Sequence, residues 1–463
     1  MVNSHKTNMT NIEIYQGNQI GGCVTVITGT YKGKTHRIMI DYGLSLAGSE
    51  TKKDFEYPWD DEPVDAVFFT HYHGDHVGRI MEIPENIPLY MGPTAQKAMI
   101  NIQEALGHSN LPDAEEHLKE AELLKNNKRV RCFNFNGSYY DAIKDIPGFS
   151  VEPYSVDHSA YDAYMFLIET DDESRESGKY VTLHTGDFRG HGRRGQKMIT
   201  LIKSYVHKFG KRKVDALVIE GTMMSRPKEK VLTEPQMQYT AAKYLSKHKY
   251  AFLVCSSTNV DSLASFYQAA QMASFPGKRY MYVYSPYFLK QLRLYSETAG
   301  PFSEVYRFDN TSLMEFDQKI QYGPFDDYMT QLEIMQRYGF IAVIKPEEFC
   351  EEYLDTFVGA YKAGEIREMP VIIYSMWDGY LEKGNKAAKP EWIDFFEKQE
   401  KKGIEVYHLH TSGHATSKML AQVINAVNPQ DEIIPMHTER PEAFGELPIR
   451  AELRDRIRKC GGI

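Results

Sequence analysis

Short apolar runs separated by polar turns dominate the first half of the chain. Cys23-Val24-Thr25-Val26-Ile27, Arg37-Ile38-Met39-Ile40 and Val64-Asp65-Ala66-Val67-Phe68-Phe69 predict buried strands, because each is brief and rich in β-branched or aromatic side chains. Residues 94–125 are rich in Ala, Leu, Glu and Lys and predict helices, broken near Asn110-Leu111-Pro112. Further strands are predicted at residues 163–169, 180–183 and 216–219. After about residue 230 the rhythm changes to strand followed by helix. Residues 250–255 predict a strand, and Ser256-Ser257-Thr258-Asn259 predicts the cap of a helix running through Phe266. Residues 280–283, 340–344 and 371–374 predict more strands. Such alternation predicts an α/β arrangement with a parallel sheet flanked by helices. Near Gly403 the pattern of the first half returns with histidine-rich motifs. The expected organisation is therefore one α/β domain (1–228 and 403–463) interrupted by a second (229–402).

Composition narrows the class. A chain of 463 residues, 42% hydrophobic and 25% charged, has room for two or three globular domains. No stretch approaches the ~18–20 consecutive apolar residues that span a bilayer. Residues 1–19 are polar and lack the apolar core of a secretory signal. No membrane partner is expected, and the cytoplasm is the expected location. Cys23, Cys132, Cys255, Cys350 and Cys460 are scattered without a spacing pattern, which argues against a disulfide framework or a Cys-rich zinc module. A metal site would have to use carboxylates and some of the 16 histidines. The net charge of −9 is the wrong sign for coating nucleic acid. Residues 187–230 nevertheless carry twelve Lys/Arg against four Asp/Glu. That run reads either as a solvated helix face around residues 203–213 or as a surface that tracks phosphates.

The densest chemistry is Thr70-His71-Tyr72-His73-Gly74-Asp75-His76-Val77-Gly78, directly after an apolar strand. On a tight turn His71 and His73 point the same way and can share one metal, while Asp75 and His76 begin a helix and can face a neighbouring one. Imidazole nitrogens with carboxylate oxygens suit Zn²⁺, or Mn²⁺ as the oxygen count rises. Gly74 and Gly78 are expected to allow close backbone approach in this turn.

This motif resembles the signature of the metallo-β-lactamase superfamily. Val156-Asp157-His158-Ser159 and Leu183-His184-Thr185-Gly186-Asp187-Phe188 resemble its next two motifs. The later half resembles the β-CASP branch, the nucleases that include RNase J and the pre-mRNA 3′-end endonuclease. Ile219-Glu220-Gly221-Thr222 resembles motif A, His410-Thr411-Ser412-Gly413-His414-Ala415 motif B, and Ile433-Ile434-Pro435-Met436-His437-Thr438-Glu439 motif C. The resemblance implies a metallo-β-lactamase αββα sandwich interrupted by an inserted β-CASP domain. It also implies two divalent ions sharing a bridging hydroxide. His71, His73 and His158 would hold one, and Asp75, His76 and His437 the other, with Asp187 between them. Motif C is typically His in RNA-acting members and Val in DNA-acting ones, so His437 implies RNA. Glu220 stands where RNase J usually has Asp, and Gly221-Thr222-Met223-Met224-Ser225-Arg226 is closer to the 3′-end endonuclease, so exonuclease or endonuclease action stays open.

Several roles follow from that resemblance. His414 is the expected general acid, because imidazole titrates near working pH; a hydrogen bond that positions a neighbour is the plainer alternative. Asp75 joins it as a catalytic ligand, and Glu220 is expected to orient His414 or a ligand histidine. Asp41 in Ile40-Asp41-Tyr42-Gly43 reads as a structural turn residue. Phosphate contacts are expected from His410 and Ser412, and from Ser256 and Ser257 at a helix N-terminus, where simple capping serves equally. Arg189, Arg193 and Arg194 either grip the RNA backbone or are solvated. The expectation is a ribonuclease acting on single-stranded RNA, with a homodimer left open. A DNA nuclease on the same scaffold, a hydrolase of small esters, lactams or thioesters, and a noncatalytic RNA-binding subunit are the alternatives.

Overall fold

The apolar runs of the first half pair into two sheets whose inner faces share one core. We describe them in a computed structural model covering residues 9–46, 55–226, 229–273, 280–300, 303–321 and 328–458. Cys460, residues 1–8 of the polar N-terminal stretch and Lys228 of the basic run lie outside these residues. The chain divides into two compact units, Met1–Glu229 with Gly413–Ile463, and Lys230–Ser412.

In the first unit, one sheet has the order Asn11–Tyr15, Val24–Tyr31, Lys34–Ile40, Ala66–Phe68, Leu89–Met91, Val130–Cys132. The other has the order Glu432–Met436, Ala216–Glu220, Lys179–His184, Ala163–Asp171, Phe149–Val156. Ile27, Ile38, Ile40 and Phe68 from the first sheet meet Val151, Phe166, Ile168, Val218 and Ile434 from the second. Burying each such side chain stabilises the sandwich by roughly 1.5–3 kcal/mol. Pro153 is tolerated because Phe149–Val156 is an edge strand, where one missing ladder donor goes unnoticed. The outer face of the second sheet is covered by Ile202 and Val206 and by the helix Ser417–Val427, through Leu420, Val423, Ile424 and Val427. The helical stretch after residue 93 forms Pro93–Gly107 and Ala114–Lys125, and Asn110-Leu111-Pro112 lies in the break between them.

Strand direction decides where the chemistry collects. Lys179–His184, Ala216–Glu220 and Glu432–Met436 run parallel, and two antiparallel steps give Phe149–Val156 the same direction. Their C-terminal ends therefore emerge at one edge and deliver Asp187, Glu220, His437 and His158. In the first sheet Lys34–Ile40 and Ala66–Phe68 are also parallel and end at Asp41 and Thr70.

The second unit is built on a sheet of order Thr311–Leu313, Tyr280–Val283, Phe340–Ile344, Tyr250–Val254, Val371–Tyr374, Glu405–His408, in which every pairing is parallel. The unit runs to Ser412 rather than to residue 402, because Glu405–His408 is the edge strand of its sheet. The helix after Tyr250–Val254 is Val260–Met272, and its cap is Asn259, whose side chain accepts from the Ser262 N–H at 3.3 Å. Among the described residues no helix is long and apolar enough to cross a membrane.

Candidate metal centre

Seven side chains from four strand-end loops converge in the first unit. His71 Nε2 lies 3.1 Å and His158 Nε2 3.3 Å from His73 Nδ1. His76 Nε2 lies 3.6 Å from Asp75 Oδ2, which in turn lies 3.2 Å from His437 Nε2. Asp187 stands between the two groups, with Oδ2 3.2 Å from His76 Nε2 and Oδ1 3.7 Å from His437 Nδ1. The ligand atoms of His71, His73 and His158, and those of Asp75, His76 and His437, each lie within 4.8 Å of one another; His71, His76 and Asp187 form a third such group.

The outer nitrogens explain why the inner ones are donors. His71 Nδ1 lies 3.1 Å from Thr70 Oγ1, whose hydroxyl donates to Asp41 Oδ2 at 2.7 Å. His76 Nδ1 donates to Asp41 Oδ2 at 2.9 Å, His158 Nδ1 to the Gly413 carbonyl at 2.7 Å, and His437 Nδ1 to Thr222 Oγ1 at 2.8 Å. A proton on each Nδ1 leaves a lone pair on each Nε2. Once any proton they carry is lost, these four Nε2 atoms can offer lone pairs in a buried space beside His73 Nδ1 and two carboxylates. His76 Nε2 is out of hydrogen-bonding geometry with Asp187, and Asp187 Oδ1 is buried with no hydrogen bond. These two orphaned atoms, amid further nitrogens and carboxylate oxygens so close together, fit divalent cations.

Electrostatics agree. Burial opposes the charge on Asp75, but His76 and His437 outweigh it and hold the carboxyl well below its usual range. Asp187 is likewise held down against burial by His437, His76 and His414. Burial pushes the His76 and His437 imidazoles down, yet Asp187 and Asp75 raise both, so these carboxylates demand positive charge here. His71, His73 and His158 are lowered, mainly by burial. Burial and the Asp187 carboxylate push Glu220 up to about 7.

His414 and Glu220 border this group. His414 Nδ1 lies 3.5 Å from Asp187 Oδ2 and 3.8 Å from Glu220 Oε2. Glu220 acts mainly on backbone: it accepts from the Ala415 N–H at 2.8 Å and the Thr222 N–H at 2.9 Å. It thus fixes the loop carrying His414 and the turn carrying the Thr222 hydroxyl. Burial holds the His414 ring down at about 3, so it is neutral near neutral pH rather than titrating there.

Other expectations are corrected. Arg189 does not reach a nucleic-acid surface: it is fully buried, with Nε 2.8 Å from Asp157 Oδ1, and its N–H donates to the Asp157 carbonyl. The pair fixes the loop beside His158. Ser256 and Ser257 do not cap the following helix. Ser256 Oγ bonds Thr258 Oγ1 at 2.8 Å and Ser257 Oγ bonds the Tyr287 hydroxyl at 2.9 Å. His410 is half-buried and Ser412 buried, both in the last residues of the second unit. Gly74 faces open space; the close approach is at Gly43, where a Cβ would sit 2.1 Å from the Asp75 backbone, and at Gly78, against the Gly74 carbonyl and Leu44.

Three supporting residues had escaped sequence reasoning or been underrated. Asp41, with a left-handed φ of 61°, accepts from the Thr70 N–H, the Thr70 hydroxyl and His76. Thr222 holds His437, itself left-handed at φ 51°. His184 lies 3.1 Å from Thr25 Oγ1 and accepts from the Gly186 N–H at 3.2 Å, bracing the turn before Asp187. The one sequence signal was placement, since Asp41 follows a predicted strand, Thr222 closes motif A and His184 stands two residues before Gly186.

Comparison with known proteins agrees with this chemistry. Residues 22–92 match the model of the metallo-β-lactamase superfamily, and residues 402–447 match that of the Zn-dependent metallo-hydrolase RNA specificity domain. No curated protein matches the sequence. A crystal structure of a protein of unknown function from Enterococcus faecalis V583 is similar at TM-score 0.64 and 18% identity, covering 98% of each chain, and so shares the fold. The Rm3 metallo-β-lactamase aligns at TM-score 0.27 and 11% identity over 52% of this chain and 81% of its own. A metallo-β-lactamase from Staphylococcus aureus aligns at TM-score 0.23 and 13% identity over 40% and 46%. Together the family matches and the His/Asp cluster support a metal-dependent hydrolase with a mixed α/β fold containing a metallo-β-lactamase domain.

Proposed function

We propose that the chain is a ribonuclease of the β-CASP branch, hydrolysing phosphodiester bonds of single-stranded RNA with two divalent ions held by the seven side chains. The observation that carries this reading is His437. It completes the ligand set from within residues 402–447, the segment matched by an RNA specificity domain, at the position where RNA-acting members of the branch have His. Divalent ions bound there supply Lewis acidity and lower the pKa of water. The histidine majority favours Zn²⁺, and the two carboxylates leave room for Mn²⁺.

The chain's own residues do the positioning. Thr70, Asp41, Gly413 and Thr222 fix the tautomers of four ligand histidines, so the donor atoms are aimed before substrate arrives. Glu220 holds the loop that presents His414 through the Ala415 N–H. A neutral His414 is poorly placed to give up a proton; the negative charge of an arriving phosphate raises its affinity for one, which lets it protonate the departing 3′ oxygen.

The test is cleavage of a labelled oligoribonucleotide beside the matching oligodeoxyribonucleotide, a lactam and a thioester, with and without chelator. RNA cleavage that is lost with chelator and in Asp75→Ala supports the reading. Equal cutting of DNA, or turnover of lactam or thioester with inert RNA, overturns it. Circular RNA and 5′-monophosphorylated RNA in the same panel separate endonuclease from exonuclease action.

A further inference from the structure

The basic run does not fold as a plain solvated helix. After Met198–Leu201 the chain opens into the wide turn Ile202–Val206, closed by the His207 N–H on the Ile202 carbonyl at 2.9 Å. Ile202 and Val206 enter the core, while Lys203 and Tyr205 face solvent. Lys208, Phe209 and Gly210 then adopt left-handed φ values of 43°, 56° and 87° in succession, a conformation that L side chains rarely take. The Phe209 N–H donates to the Lys203 carbonyl at 3.2 Å and the Arg212 N–H to the His207 carbonyl at 3.0 Å. These bonds hold a knot whose tip leaves Phe209 83% exposed, while Tyr205, 52% exposed, lies 6.4 Å ring to ring from Tyr154.

Lysines flank the two aromatic residues in sequence. Lys203, Lys208, Lys211 and Lys213 are all exposed. The nearby acids are engaged by buried Arg212, 2.8 Å from Glu152 and 3.1 Å from Glu169. Lys208 only approaches Glu152, at 3.9 Å, and Lys203, Lys211 and Lys213 make no ion pair with a described residue. In a chain of net charge −9 this is a local cationic surface carrying a bare aromatic ring.

Its position is remote from the metal centre. The strand Ala216–Glu220 runs from the knot towards Glu220, covering about 13 Å. His207 Nε2 lies 3.1 Å from the carbonyl of Ala426, near the end of the helix Ser417–Val427 that starts just beyond His414 and spans about 16 Å. The knot and the centre occupy opposite ends of the same sheet.

We infer that the Lys203–Tyr205–Phe209–Lys211 knot is a second contact for single-stranded RNA, its lysines tracking the phosphates and Phe209 stacking a base. The inference rests on the RNA reading above. It favours RNA over a lipid surface because one bare ring and one half-exposed Tyr are little to insert into a bilayer, whereas one ring is all that a stacked base needs. It predicts a length dependence, since only an RNA long enough to reach beyond the metal centre feels the knot.

The test measures poly(U) binding in chelator by fluorescence anisotropy, and metal-dependent turnover of tetrauridylate, for wild type, Phe209→Ala and the double variant Lys203→Gln/Lys211→Gln. The inference expects roughly tenfold weaker poly(U) binding for Phe209→Ala. For the double variant it expects the salt dependence of binding to shallow by about 0.7 per lysine removed. Tetrauridylate turnover should be unchanged in both. Equal poly(U) affinity in all three proteins overturns the inference while short-substrate cleavage leaves the ribonuclease reading standing. Binding of phosphatidylserine vesicles instead of poly(U), lost in Phe209→Ala, overturns it in favour of a membrane surface. A wild type that neither binds poly(U) nor cuts tetrauridylate overturns both.

Discussion

Replacing Asp41 by Asn should disarm two metal ligands without touching either. The side chains have the same shape, and Asn tolerates the left-handed φ of 61°, so the backbone has no reason to move. Asp41 Oδ1 accepts from the Thr70 N–H at 2.7 Å, and Oδ2 accepts from the Thr70 hydroxyl at 2.7 Å and from His76 Nδ1 at 2.9 Å. An amide cannot serve all three donors. With its oxygen kept towards the Thr70 N–H, its NH₂ faces the Thr70 hydroxyl and His76 Nδ1. His76 then relieves the clash by moving its proton to Nε2, the atom aimed at the metal. The Thr70 hydroxyl turns to donate to His71 Nδ1, which moves the His71 proton to Nε2 as well. Flipping the amide only shifts the clash to the Thr70 N–H. Losing one charge-assisted hydrogen bond here costs about 1.5–3 kcal/mol. That corresponds to roughly 10- to 100-fold weaker metal binding, the range known for partners that orient ligand histidines. Zinc affinity by competition with a chromophoric chelator, with stoichiometry by elemental analysis, reads the effect. Unchanged affinity in a folded Asp41→Asn protein would refute the account of how these tautomers are set.

Thr222→Val should weaken metal binding by a similar but smaller factor, because only His437 loses its acceptor; isothermal titration beside Asp41→Asn gives the ranking. Zinc affinity should climb with pH above the ordinary imidazole value of 6.5, with protons released, since His76 and His437 are raised and must deprotonate to bind; titration in buffers of different ionisation enthalpy counts those protons, and none released contradicts the expectation. Glu120 lies buried between Ala114–Lys125 and Pro93–Gly107, and burial pushes it up from 4.5 to about 7 against the Gln103 hydrogen bond. The folded state therefore binds its proton more tightly than the unfolded chain, and stability falls as pH rises from about 4.5 to 7. Glu120→Gln should then raise stability by about 3 kcal/mol at alkaline pH and little at acid pH, visible as a Tm difference that vanishes on acidification. His414→Ala should slow RNA cleavage by about 100-fold or more while leaving zinc stoichiometry intact, which separates proton transfer from metal binding.

What the sequence made legible, and what it hid, divides along chain separation. His71, His73, Asp75 and His76 could be read directly, since they follow one apolar strand within six residues and the spacing itself states the geometry. The regular strand–helix alternation of the second unit was equally plain, because buried parallel strands are short uniform apolar runs. The supporting layer was not. Asp41 meets Thr70 across 29 positions and Thr222 meets His437 across 215, and neither pairing leaves a local pattern. Arg189 illustrates the opposite hazard: a charge beside a motif reads as solvent-facing until its partner Asp157, 32 positions earlier, is seen to bury with it. The boundary at residue 402 slipped for a related reason, since Glu405–His408 is a short, half-exposed edge strand whose membership in a sheet is decided by its neighbour Val371–Tyr374 rather than by its own hydrophobicity.

The same logic explains why Phe209 is the more informative exception. A solvent-exposed aromatic on a left-handed backbone costs stability twice, once in conformation and once in unburied apolar surface, and nothing in its local sequence calls for it. The neighbouring core residues Ile202 and Val206 would be satisfied by an ordinary helical turn ending in a polar loop. A ring held open in this way is available to a contact outside the chain, which is the role inferred for it above. The exposed lysines at positions 203, 208, 211 and 213, close to it in sequence, favour an anionic partner, and a flat π face favours one that stacks.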